Sequence, residues 1–190
     1  MMASPQDRVS DAVQNLRFGK LEALIDLSEL ATGGNEWCHF VLGDTYLHGR
    51  YGAPKDFKLG QEHLLIAFEA GLLDAGHLLA RYLSENGRKE DAYALFLKLV
   101  EKMYLPSLFQ LGRGHLRNEW PSSNRESGQS LLETAAKHGH MLSDEFNTWF
   151  KIFGEKSIRK KLRLLIRLYK IKIAILYFRQ FRRNDPSIKP

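Results

Sequence analysis

The fold is indicated by residues 34–71, which read GNEWCHFVLGDTYLHGRYGAPKDFKLGQEHLLIAFEAG. Apolar and small residues recur at helical spacing before residue 48, and again in the run that ends at Gly71. Residues 48–55 are rich in glycine and contain a proline, and Asp56 is a suitable N-cap for a following helix. The stretch therefore predicts two helices joined by a turn.

This two-helix unit recurs along the chain with changed residues. The residues that close the second helix of each unit are Gly34, Gly71, Met103 and Gly139, spaced 37, 32 and 36 residues apart. A small residue follows each closing residue by four positions, and an apolar residue precedes it by seven. Because one pair of helices cannot bury its apolar face alone, such units stack on their neighbours.

The periodicity fixes the predicted helices. We expect first helices over 36–48, 75–84, 106–116 and 142–153, and second helices over 20–32, 56–69, 89–102 and 124–138, with one further helix over 5–16. Small residues recur where the helices of a pair would cross: Gly43, Ala80 and Gly112 in the first helices, and Ala23, Gly60, Ala92 and Gly128 in the second. They allow close approach. The predicted class is all-α, an α-solenoid of antiparallel helix pairs; the alternative is an irregular helical bundle with accidental spacing.

The best copy of the unit resembles the Sel-one-like repeats, a branch of the tetratricopeptide-type α-solenoids. The residues that carry the resemblance are Cys38, Leu42, Gly43, Tyr46, Gly49, Asp56, Ala67 and Gly71. The resemblance covers residues 20–153, with Met103 in place of a closing glycine. It implies a non-enzymatic scaffold or adaptor that binds a partner protein or peptide on the concave face lined by the first helices, without a cofactor or a small-molecule substrate.

The resemblance also implies where a partner would bind. Contact positions carried over from tetratricopeptide proteins give the following exposed residues: Trp37, Phe40, Asp44, His77, Arg81, Phe109, Arg113 and Arg117. Arg81 and Arg113 occupy equivalent positions in adjacent units, and two guanidinium groups are able to clamp a carboxylate of a bound peptide. The alternative is that these arginines are only solvated surface residues.

No catalytic or metal-binding pattern is found in the sequence. The seven histidines include Cys38-His39 and His138-Gly139-His140, but neither group has further ligands at zinc-site spacing. Neither a phosphate-binding loop nor a nucleophile–base pair is recognisable. We therefore predict no enzymatic activity, no metal and no cofactor.

The charge is divided unevenly along the chain. Residues 1–154 contain 16 Lys and Arg against 20 Asp and Glu, a net charge of −4, whereas residues 155–190 contain 12 against 2, a net charge of +10. A single cysteine excludes a disulfide framework, and residues 1–11 lack the apolar core of a secretion signal. These features predict a cytoplasmic protein, with the cytoplasmic membrane surface as the alternative location.

The basic segment reads as a helix of its own. We expect a repeat domain over 1–154, a basic amphipathic helix over 155–184 and a disordered tail over 185–190. The basic stripe of this helix is the predicted contact with a membrane or an acidic partner. It consists of Lys156, Lys160, Arg163, Arg167 and Lys170. Its apolar stripe consists of Ile158, Leu162, Leu165, Tyr169, Ile173 and Leu176, widened by Leu164, Leu168, Ile171, Ile175 and Phe178.

Three roles for this helix stay open at this stage. It would cap the repeats by covering Phe146, Trp149, Phe150 and Ile152, because terminal repeats need atypical caps. It would lie on an anionic membrane surface and anchor an adaptor that positions an envelope or regulatory partner. Binding to nucleic acid is the least favoured role. Its charges are too closely spaced for a transmembrane span.

Overall fold

The computed structural model describes residues 5–181, which contain ten α-helices, one short 3₁₀ helix and no strand. The α-helices are α1 (Pro5–Arg17), α2 (Ala23–Thr32), α3 (Glu36–His48), α4 (Phe57–Glu69), α5 (Leu73–Glu85), α6 (Lys89–Glu101), α7 (Leu105–Leu116), α8 (Arg125–Lys137), α9 (Met141–Gly154) and α10 (Ile158–Phe181). Each helix predicted within residues 5–153 corresponds to an observed helix whose bounds differ by at most three residues, whereas α10 begins at Ile158, three residues after the predicted start of the basic helix. The predicted tail over 185–190 lies outside the described residues, as do residues 182–184 of the predicted basic helix.

The chain divides into two compact units, with Tyr82 as the last residue of the first and Leu83 as the first residue of the second. In the first unit, α1 packs on α2, α2 on α3 and α3 on α4. In the second, α6 packs on α7, α7 on α8, α8 on α9 and α9 on α10. These contacts between consecutive helices are of the kind that stacked helix pairs require.

Two helix crossings are close enough to exclude any side chain at their centres. In the first unit, a β-carbon added at Gly60 of α4 would lie 2.7 Å from the Leu47 nitrogen of α3. In the second, a β-carbon added at Gly128 of α8 would lie 2.8 Å from the Gly112 carbonyl oxygen of α7. The predicted role of these small residues is therefore confirmed.

The core positions of the repeat are buried as predicted. The apolar residues seven positions before each closing residue are at most 1% exposed; they are Leu27, Leu64, Phe96 and Leu132. The small residues four positions after it are 0% exposed; they are Cys38, Ala75, Ser107 and Ser143. Burial raises the pKa of the Cys38 thiol, with Glu36 adding to the effect. Cys38 is thus a core residue.

The helix ends follow from local backbone chemistry. The side chains of Asp56 and Asn124 accept hydrogen bonds from the backbone N–H groups of Leu59 and Ser127, both at 3.0 Å, which confirms them as N-caps. All four closing residues have positive φ, and Met103, at φ 55°, adopts the left-handed conformation that glycine takes in the other three units. The repeat therefore keeps its backbone geometry where its sequence departs from the pattern.

Candidate functional site

Four of the predicted partner-binding residues of the first unit differ in their accessibility. Trp37 is 44% exposed and stacks on Phe40, with ring centroids 5.0 Å apart. Asp44 is engaged within the chain, because its carboxylate oxygens lie 3.0 Å from Arg50 Nη1 and 2.9 Å from His48 Nδ1. His77 is only 6% exposed, which differs from its predicted exposure.

Trp37 also borders a shallow groove of about 430 Å³ along α1. The other lining residues are Gln6, Val9, Ser10, Val13, Gln14 and Arg17. Arg81, the fifth predicted residue of this unit, is half-buried. The structure therefore leaves Trp37 as the accessible large apolar residue among the predicted positions of the first unit.

In the second unit, Phe109 of α7 is 6% exposed, although the repeat pattern predicts an exposed side chain. Its ring contacts His140 and Phe146, with centroids 5.3 and 6.3 Å away. Arg113 lies over the same ring, with its Cζ 5.6 Å from the centroid, and donates a hydrogen bond to Gln110 Oε1 at 2.8 Å. Arg113 therefore supports the wall of a site and does not point freely into solvent.

Helices α7 and α9 border a groove of about 650 Å³, which we call the aromatic groove. It is lined by Phe109, Arg117, Leu142, Glu145, Phe146, Trp149, Phe150 and Phe153. Trp149 is 52% and Phe153 67% exposed, and their ring centroids are 4.2 Å apart. The groove thus has apolar walls and one residue of each charge, Arg117 and Glu145.

The aromatic residues of α9 follow a spacing that the sequence already contained. Phe146, Trp149, Phe150 and Phe153 lie at positions i, i+3, i+4 and i+7, which places them on one side of a helix. One of the three roles left open for the C-terminal helix was to cover Phe146, Trp149, Phe150 and Ile152. Helix α10 does pack on α9, as the capping role requires, but Trp149 stays 52% exposed and is not covered.

His140 is a structural residue that sequence reasoning missed. It is 0% exposed and forms the N-cap of α9, where its Nδ1 accepts a hydrogen bond from the Ser143 backbone N–H at 3.2 Å. Its ring supports Phe109 beneath the aromatic groove. Histidine is not among the preferred N-cap residues, so a composition rule does not find it.

The five residues of the predicted basic stripe differ in their environment, and Lys156 precedes the first residue of α10, Ile158. Arg167 Nη2 lies 2.7 Å from Asp144 Oδ1 of α9. Lys160 and Arg163 border a depression of about 560 Å³, which they share with Phe150, Lys151 and Glu155. Lys156 and Lys170 are exposed. The stripe therefore combines a residue that docks the helix with residues that stay accessible.

Within residues 5–181, no three or more His, Cys, Asp and Glu side chains are grouped so that they could hold a metal ion. None of the helices in the same range is long and apolar enough to cross a membrane.

Comparison with solved structures defines the fold. The chain is similar to a Sel1 repeat protein from Oxalobacter formigenes, with a TM-score of 0.69 and 18% identity over 88% of this chain and 71% of that one. It is also similar, with a TM-score of 0.69 and 16% identity, to a protective antigen of uropathogenic Escherichia coli strains that displays an SLR fold. That match covers 90% of this chain but 38% of the antigen.

The sequence matches no protein-family model and no sequence among the curated proteins. The structural matches confirm the expected class: the protein has the all-α fold of the Sel-one-like repeat solenoids. At identities of 16% and 18%, the likeness defines the fold alone. Function has to be argued from the surfaces of this chain.

Proposed function

We propose that the protein is a non-enzymatic interaction scaffold that binds an apolar segment of a partner protein in the aromatic groove. The observation that carries the proposal is the pair Trp149 and Phe153, two adjacent aromatic side chains that stay more than half exposed beside a concave surface. Large apolar residues gathered in a groove mark binding sites more strongly than scattered ones. Aromatic side chains are also over-represented among the residues that dominate binding energies.

The shape and charge of the groove indicate the kind of segment that fits. A volume of about 650 Å³ accommodates a few large side chains, as presented by one face of an amphipathic helix or by an extended peptide. Arg117, 53% exposed, lies 3.7 Å from Glu119, and such an exposed ion pair is weak enough to be exchanged. We therefore expect a ligand with apolar anchors and a carboxylate positioned for Arg117.

Of the eight residues that the sequence assigns to partner binding, Phe109 and Arg117 belong to this groove. We retain Trp37 and Phe40 as a separate contact in the first unit, since their rings stack and Trp37 is 44% exposed. Burial of His77 and the ion pairs of Asp44 favour a structural role for those two residues.

Selection from a random peptide library displayed on phage, with the full chain as bait, tests the proposal. Peptides that bind through the groove should lose at least about thirtyfold in affinity when the bait carries Trp149→Ala and Phe153→Ala, because even one central aromatic residue contributes about 2 kcal/mol or more. The control is Phe18→Ala, which removes a 74% exposed aromatic side chain from the first unit. Circular dichroism verifies that each variant keeps its helices.

Two outcomes would contradict the scaffold proposal. In one, no peptide is enriched on the wild-type chain. In the other, the selected peptides bind the double variant as tightly as they bind wild type, which would place their site elsewhere.

A second function is favoured by a different observation, the exposed apolar side of α10. We propose that the chain also serves as a peripheral membrane adaptor, in which α10 lies on a membrane surface and brings the partner of the aromatic groove to it. Amphipathic helices rich in Lys and Arg bind membranes in this way. Co-sedimentation of the full chain with lipid vesicles tests the proposal, and a chain that stays in the supernatant with every vesicle composition would contradict it.

A further inference from the structure

Helix α10 has two edges that differ in their environment. On one edge, Leu168 and Ile175 are 7% and 4% exposed, and Leu164, Ile171 and Phe178 are half-buried. These residues follow one another at alternating spacings of four and three, which forms a single packed seam. Because α10 packs on α9, this seam attaches the helix to the repeat unit.

Two ion pairs with α9 agree with this orientation of α10. Arg167 Nη2 lies 2.7 Å from Asp144 Oδ1, and Lys172 Nζ lies 3.8 Å from Glu145 Oε1. Both carboxylates belong to α9. With the seam and these pairs in place, the opposite side of α10 is directed away from α9.

That opposite side carries Arg159 and Gln180 near its two ends and is otherwise apolar, and we call it the apolar face of α10. Its large side chains are between 49% and 84% exposed: Ile158, Leu162, Leu165, Ile166, Tyr169, Ile173, Leu176 and Tyr177. Scattered exposed apolar residues are ordinary, but eight on one helix form a continuous surface that needs a partner.

Cations border the apolar face on both sides. Residues seven apart lie almost in line on a helix, so Arg163 and Lys170 share a line with Tyr177 on one border. Lys172 and Arg179 lie on the other border, in line with Leu165. Helix α10 contains no Asp or Glu. The complementary binding surface therefore has an apolar interior for these side chains and negatively charged groups near the bordering cations.

We infer that the apolar face of α10 docks on a membrane surface that carries anionic phospholipid, with its aliphatic side chains in the acyl boundary and its bordering cations at the headgroup phosphates. This inference rests on the second proposed function and names its lipid class. Tyr169 and Tyr177 suit the interface, where an aromatic ring with a polar end is stabilised.

Two other occupants fit the face less well. A second copy of the chain would bring two wholly cationic helices together, which like-charge repulsion disfavours. A partner helix would cover only a narrow strip of apolar residues, as is typical of helix pairs. The apolar face is wider than such a strip and has cations on both borders. A membrane surface covers the full width and neutralises both borders.

Co-sedimentation of the full chain with two kinds of vesicle tests the inference. One kind is pure phosphatidylcholine, and the other is phosphatidylcholine mixed with phosphatidylglycerol. We expect binding to the mixed vesicles to be at least about tenfold tighter and to weaken as salt is raised, because each cation near the surface adds to the attraction.

Matched variants assign the binding to the face. Ile166→Ser combined with Ile173→Ser should abolish binding, whereas Phe18→Ser combined with Ile25→Ser, at exposed apolar positions of the first unit, should leave it unchanged. Arg163→Gln combined with Lys170→Gln should reduce the preference for anionic vesicles, while Lys98→Gln combined with Lys137→Gln, at exposed cations outside α10, should not. Circular dichroism and sedimentation velocity verify the fold and the oligomeric state.

Each result decides a separate part of the inference. Equal binding to both vesicles keeps the membrane function but overturns the anionic lipid class. Absence of binding to either vesicle overturns both. Unchanged binding after Ile166→Ser and Ile173→Ser overturns the assignment to this face, and a wild-type dimer that these substitutions separate would show that a second copy occupies it.

Discussion

Replacing Gly60 with alanine would place a methyl group at the centre of the crossing between α3 and α4. The new carbon would lie 2.7 Å from the Leu47 nitrogen and 3.0 Å from both the Gly43 oxygen and the Leu47 Cα. Carbon contacts are most favourable at about 3.5–4.0 Å. All three neighbours are backbone atoms, so no side chain can rotate away and α3 itself has to move by several tenths of an ångström.

Two opposing effects set the size of the change. Overpacking a tight contact costs about 1–3 kcal/mol, whereas exchanging glycine for alanine inside a helix gains about 1 kcal/mol. We therefore expect Gly60→Ala to lower the free energy of unfolding by about 1 kcal/mol and Gly60→Leu to lower it by about 3 kcal/mol.

Urea denaturation followed by circular dichroism measures the change. A pair of variants at the exposed Glu62 of the same helix, Glu62→Gly and Glu62→Ala, supplies the helix-propensity difference without any crossing. If Gly60→Ala proved more stable than wild type by that same difference, the crossing would be looser than the structure has it, and the register of the repeat would be refuted.

Two further predictions concern the second unit and the response to pH. Ile175→Ala, at the packed seam of α10, should lower the free energy of unfolding by about 2–5 kcal/mol. The neighbouring Leu176→Ala, on the apolar face, should change it by less than about 0.5 kcal/mol. Equal effects of the two substitutions in urea denaturation would show that the rotation of α10 is wrong. Burial, together with His39 Nδ1 at 2.9 Å from His63 Nδ1, lowers the pKa of His63, and burial lowers that of His115. Both groups bind a proton more readily in the unfolded chain, so stability should be full above pH about 6.5 and fall as the pH drops below it. The urea midpoint should follow this trend and should depend less on pH in His63→Asn; a midpoint that does not change between pH about 7 and 5 would contradict it.

Only part of the candidate site can be predicted from the sequence. The spacing of Phe146, Trp149, Phe150 and Phe153 marks an apolar side of α9, but spacing does not tell which element covers that side. The repeat pattern also places Phe109 on an exposed helix surface, whereas packing against His140 and Phe146 buries it. Exposure depends on contacts between residues far apart in sequence, and one helix does not encode them alone.

The sequence by itself determined the helices, the caps at Asp56 and Asn124, and the glycines at two of the helix crossings. Each of these depends on local chemistry or on the spacing of residues along the chain. Asp56 and Asn124 accept hydrogen bonds from backbone N–H groups three residues further on. The glycines that permit close helix approach within residues 34–71, Gly43 and Gly60, recur as Gly112 and Gly128 in a later unit. Only the tertiary structure decided the rotation of α10. The helix has apolar residues on most sides, so its periodicity fits several orientations equally well. Contact with α9, through the seam of Leu168 and Ile175 and the pair of Arg167 with Asp144, buries one side and leaves the other as a surface.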